Sequence, residues 1–118
     1  MRFLMTSIDR NPAPPTPEQA AAIDKFMTEL RSSGVLQDSG AIMPLSRGAR
    51  VRFSGGKFSV LDGPFPETKE LIVGFVIVKL PSLKEALELA RRFFTAVGGD
   101  SEGDIQELFQ PDEEVPHH

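Results

Sequence analysis

The sequence predicts a small α+β domain with the element order β-α-β-(β-hairpin)-β-α-β. Three observations predict it. Two amphipathic segments each open on a helix-capping signature, a Gly-Gly pair separates two β-rich runs, and the run Leu71 to Val78 is apolar at both parities. The two β-α-β halves match the split βαβ, ferredoxin-like plan, with the hairpin inserted between them.

Residues 2–8 alternate loosely around Phe3, Met5 and Ile8 and predict the first strand. The Pro- and Asn-rich stretch from Asp9 to Pro15 ends it. Thr16-Pro17-Glu18-Gln19 then starts a helix. Thr16 can cap free amides, Pro17 suits the first helical position, and Gln19 can complete a capping box. Ile23, Phe26, Met27 and Leu30 form its apolar stripe, Asp24, Lys25, Glu29 and Arg31 lie away from it, and Gly34 marks its end.

Val35 to Leu45 is irregular, with Ala41 to Met43 as a short strand candidate before Pro44. Gly55-Gly56 predicts a two-residue hairpin turn within residues 49–61. That register sets Phe53 opposite Phe58 and Val51 opposite Val60, all on one face, with Arg52 and Ser59 on the other. The length and the β-branched residues of Leu71 to Val78 favour a strand over a helix, and its apolar residues at both parities predict burial on both faces, with Gly74 permitting close backbone approach. Two helices can cover only one side of a sheet this small. A second copy is the simplest cover for the other, which predicts a homodimer packed face to face through the sheet.

Ser82-Leu83-Lys84-Glu85 repeats the capping signature. Leu83, Ala86, Leu87, Ala90, Phe93, Phe94 and Val97 give a broad apolar face that ends at Gly98-Gly99. Asp100 to Asp104 reads as a polar loop and Ile105 to Phe109 as a last short strand. The expected organisation is one domain over residues 1–109, followed by a mobile acidic tail over residues 110–118 that carries the terminal His pair.

Composition narrows the function. A chain of 118 residues, 40% hydrophobic and 25% charged, is that of one globular domain. It has no run long enough to span a membrane and no signal-peptide pattern, so the cytoplasm is the expected location. A net charge of −4 argues against nucleic-acid binding, and the local cluster Arg47, Arg50 and Arg52 reads as a solvated hairpin face. There is no cysteine, and the only histidines, His117 and His118, read as a tag remnant or a frayed end. Thiolate nucleophiles, Ser-His-Asp catalysis and the common zinc sites are thereby disfavoured, and no metal or cofactor is expected. Tyr and Trp are absent too, so any acid-base chemistry falls to Asp, Glu, Lys or Arg.

Asp62-Gly63-Pro64-Phe65-Pro66-Glu67-Thr68-Lys69-Glu70 resembles the signature of the YCII-related family, written DGPF after its first four residues. The likeness runs on into Gly74-Phe75 and extends over the chain from Met1 to about Phe109. The resemblance implies a ferredoxin-like protomer that pairs into a dimeric α+β barrel. Relatives on that fold include cofactor-free isomerases and oxygenases that bind small organic molecules beside the sheet. Family genes often neighbour those of alternative sigma factors, which implies a tie to transcriptional regulation. Some relatives carry a His-Asp pair proposed as catalytic. The body of this chain has no histidine, so that pair is not carried over.

Two readings of the signature stay open. In the first it is structural: Asp62-Gly63 makes a turn, Pro64 and Pro66 stiffen the loop, and Glu67, Lys69 and Glu70 are a solvated charge run. In the second, a stiff loop leading into a buried strand holds charged groups at the sheet rim, where they can bind a polar group or share a proton. Asp62, Glu67 and Lys69 are then the catalytic candidates. Asp62 and Lys69, with Asp9 and Arg10 at the end of the first strand, are the ligand-binding candidates. The first function expected is small-molecule binding or sensing. The alternative is a cofactor-independent lyase or isomerase with Asp62 or Glu67 as acid/base.

Overall fold

In the computed structural model, which describes residues 1–9, 15–43, 45–61 and 71–110, six strands and two α-helices follow the expected order. They are β1 (Arg2–Asp9), α1 (Pro17–Ser32), β2 (Leu36–Ala41), β3 (Arg50–Ser54), β4 (Lys57–Leu61), β5 (Leu71–Lys79), α2 (Leu83–Val97) and β6 (Glu102–Glu107). A single 3-10 turn, Leu45–Arg47, precedes the hairpin. Four strands form an antiparallel sheet in the order β2-β5-β1-β6, and β3 and β4 form a separate two-stranded ladder. With the hairpin set aside, this is the ferredoxin-like order, in which each βαβ crossover brackets a strand from the other half.

Both helices start where the sequence predicts, the first with a closed capping box and the second with a Ser82 side-chain cap. Thr16 N donates to Gln19 Oε1 at 3.0 Å and Gln19 N donates to Thr16 Oγ1 at 3.1 Å, which closes the capping box. Glu85 N donates to Ser82 Oγ at 3.3 Å. Gly34, just past α1, takes the positive φ of 81° expected of a helix-ending glycine.

The core lies between the sheet and the helices. Phe3 and Val78, directly paired across β1 and β5, are 1% and 0% exposed; Leu30, Ala86 and Leu89 close over them. Met5, Leu36, Val76 and Ile105 extend this layer along the same side of all four strands. Phe26 and Phe93 join the helices edge to face, with centroids 5.3 Å apart.

Three expectations need correction. The strand expected at Ala41 to Met43 lies at Leu36–Ala41, because pairing with β5 imposes extended backbone on a polar, Gly-containing segment of weak β propensity. The last strand starts at Glu102 and ends at Glu107, so Glu102 to Asp104 is not loop. Gly103 fits there because a side chain would collide with the Thr6 carbonyl. On α2, Leu83 and Leu87 are 50% and 55% exposed, whereas Leu89 is buried. The stripe that meets the sheet runs through Ala86, Leu89, Ala90 and Phe93, and Leu83 and Leu87 lie on its flank.

Candidate functional site

Alternation fixes what lies on the other side of the sheet. Phe3, Met5, Val76 and Val78 face the helices, so Leu4, Thr6, Phe75 and Ile77 face away. The register places them in two rungs. One runs Asp38, Ile77, Leu4, Gln106; the other runs Gly40, Phe75, Thr6, Asp104. Each apolar centre is thus flanked by polar edge strands, with a carboxylate on each edge. Leu4, Thr6, Phe75 and Ile77 are half-buried in the protomer, so the expected burial of β5 on both faces is complete only at the helix side.

The Phe75 ring leans across Gly40. A Cβ placed on Gly40 would lie 2.7 Å from Phe75 Cε1 and 3.2 Å from Cζ. This glycine therefore lets an aromatic ring lie against the sheet surface. The result is an aromatic and aliphatic platform beside the Thr6 hydroxyl, suited to a planar organic molecule.

At one end the platform meets the sheet rim. The β1–β5 register slips between Ser7, opposite Gly74, and Ile8, opposite Ile72, and leaves Val73 as the extra residue. Ile42 N donates to the Val73 carbonyl at 3.0 Å, so the bulge is tied to the end of β2. Such a bulge bends a strand and re-aims its side chains. Just beyond it Asp9 stands opposite Leu71. The points at which the chain leaves β1 and enters β5 are therefore neighbours. The two stretches that adjoin these points carry the sequence candidates. Asp62, Glu67, Lys69 and Arg10 themselves lie outside the described residues, and Asp9 is placed by its backbone.

Sequence reading missed a second concavity, on the helix side near the other end of the sheet. A groove of about 560 Å³ runs between α1 and α2, floored by Phe26, Leu30, Leu80 and Leu89 and edged by Glu29, Glu85 and Glu88. The Arg92 guanidinium lies 5.8 Å from the centroid of the Phe26 ring. Glu88 accepts two hydrogen bonds from Arg91, and that pairing holds the Glu88 carboxyl below its ordinary range and raises the Arg91 guanidinium. The i,i+3 spacing of Glu88 and Arg91 was the available sequence signal for the pair; the groove depends on how two distant helices pack. Among the described residues, no cluster of His, Cys, Asp or Glu is placed to hold a metal ion, and no helix is long and apolar enough to cross a membrane.

Comparison with known proteins agrees with this architecture. Residues 1–99 match the family described as the YCII-related domain. An uncharacterized protein of Rhizobium meliloti (strain 1021) is 42% identical over 59 residues, which is 50% of this chain and 48% of that protein. The match thus spans about half the length of that curated relative. Among solved structures, 5-chloro-2-hydroxyhydroquinone dehydrochlorinase (TftG) from Burkholderia phenoliruptrix AC1100, in complex with 2,5-dihydroxybenzoquinone, superposes with a TM-score of 0.50. The superposition covers 92% of this chain and 94% of that one at 17% identity, a likeness of fold.

Proposed function

The chain belongs to the YCII-related domain family, and we propose that it binds or senses a small organic molecule on the open side of its sheet, next to the rim where residues 62–70 lead into β5. The observation that carries this reading is the platform of Phe75, Ile77, Leu4 and Thr6, which runs toward the junction of Asp9 with Leu71. An apolar surface with a few polar groups at one end is the usual make-up of a small-molecule site. In this reading Asp62 and Lys69, with Asp9 and Arg10, hold the polar end of the ligand. The protein works as a homodimer through the sheet face, without a cofactor. Its output, through a partner, is transcriptional regulation.

A second reading is favoured by the likeness to a dehydrochlorinase with a dihydroxybenzoquinone bound. Here the protein is a cofactor-independent lyase or isomerase, and Asp62 or Glu67 moves the proton. That relative also suggests the first probes, hydroxylated quinones and phenols.

A thermal-shift screen of such compounds finds the ligand, because a molecule that binds only the folded state raises Tm. Titrations of the wild type, Asp62→Asn and Lys69→Met then test the rim. Asn keeps the turn chemistry of Asp, and Met keeps most of the Lys stem. Both variants should fold normally and bind at least about tenfold more weakly, since truncating one partner of a buried charge pair costs roughly 2–5 kcal/mol. Equal affinity in all three proteins would return the signature to a purely structural role. A ligand recovered unchanged supports binding. Turnover that is lost in Asp62→Asn or Glu67→Gln supports the enzyme.

A further inference from the structure

We infer that the β3–β4 hairpin is an arm that packs its apolar side onto the open sheet face of a second copy of this chain. This extends the homodimer proposed above from a sheet-to-sheet contact to one gripped by two arms.

Val51 pairs with Val60 and Phe53 with Phe58, so all four side chains share one side of the ladder. They are 56%, 55%, 72% and 66% exposed respectively. The hairpin makes no substantial packing contact with any other described element of its own protomer. An isolated two-stranded hairpin is marginal in water, and a regular one with an apolar side needs a partner surface.

Area and apolar character choose the partner. Four such side chains present roughly 400 Å², given that a buried aromatic alone covers roughly 150–250 Å². A two-fold axis uses the patch twice, giving roughly 800 Å², against the roughly 1,200–2,000 Å² of a stable interface. The shortfall is an area that the open side of the sheet, with Leu4, Phe75 and Ile77, can supply. Arg50, Arg52 and Lys57 lie on the side of the ladder opposite the four apolar residues, so the side that packs carries no charged residue. The sheet face it would meet has Leu4, Phe75 and Ile77 at its centre. An uncharged apolar arm thus fits an apolar platform.

The chain has no Trp, so Phe53→Trp introduces a single indole reporter on the arm. Its emission should be blue-shifted at micromolar protein and move red on dilution, in step with a fall in mass measured by light scattering. Phe53→Ser combined with Phe58→Ser should weaken self-association at least about tenfold, as loss of a central aromatic anchor does, and leave the protomer's far-UV spectrum intact. Indole emission typical of full exposure in a sample that scatters as a dimer would overturn the arm and leave the sheet-to-sheet dimer standing. A monomeric mass for the wild type would overturn both. An indole shift seen only after single-stranded DNA is added would reassign the surface to nucleic acid and overturn the proposal.

Discussion

Phe3 with Val78 and Phe53 with Phe58 are apolar pairs of the same kind, each set directly opposite in an antiparallel ladder. Their fates differ. Phe3 is 1% exposed, roofed by α1 and α2, whereas Phe53 is 72% exposed, on a hairpin that makes no substantial packing contact with any other described element of its protomer. Ladder pairing and side-chain chemistry are alike in the two regions. The difference is whether the chain supplies a second layer, and a layered domain needs one for each apolar face. On the helix side two capped helices supply it. On the open side and on the hairpin the described residues supply none, and these are the surfaces proposed above for a ligand and a second copy.

The largest expected effect contrasts the two regions directly. Phe3→Ala should cost the fold about 3–5 kcal/mol, the usual range for emptying a buried Phe site. Phe58→Ser should cost the protomer far less, and appear instead as weaker self-association, so that a higher protein concentration is needed to reach the same Tm. Denaturant melts of both variants at two concentrations measure this. If the two substitutions destabilise equally at high dilution, the hairpin packs on its own protomer and the contrast fails.

How much of this was legible depended on whether the determining residues were local. The hairpin register could be read because Gly55 and Gly56, both at positive φ, fix which residues face each other. Both helix starts could be read because a cap is a contact among four consecutive residues. The position of β2 could not. Gln37, Asp38, Ser39 and Gly40 have little strand character of their own, and their extended backbone is imposed by β5. The same holds for Glu102 to Asp104, held extended by β1. At the candidate site, the sequence suggested Asp9 and Arg10 as neighbours of the signature. Asp9 stands opposite Leu71, whereas Arg10 and residues 62–70 lie outside the described residues. The Phe75 ring over Gly40 and the groove between the helices arise from residues far apart in the chain, and no local pattern announced them.

The smallest expected effect concerns the helix side alone. The Glu88–Arg91 pair is fully solvated, so it should matter little to stability and not at all to assembly. Because the pairing lowers the Glu88 pKa, its contribution is present above the ordinary carboxylate range and lost as pH falls through the lowered value. Arg91→Gln should therefore move the Glu88 titration midpoint, followed by NMR, upward and leave the mass unchanged. An unmoved midpoint would mean that the pair does not persist in solution.

The claim on which the rest depends is that the open apolar surfaces are completed by a second copy of the chain. Sedimentation equilibrium of the unmodified protein, over a dilution series through micromolar concentrations, tests it most directly. The account predicts a mass of twice 12.9 kDa that falls toward the monomer only at the dilute end or not at all. A mass of 12.9 kDa across the whole series would contradict it, and would leave Phe53 and Phe58 as surface residues of a monomer.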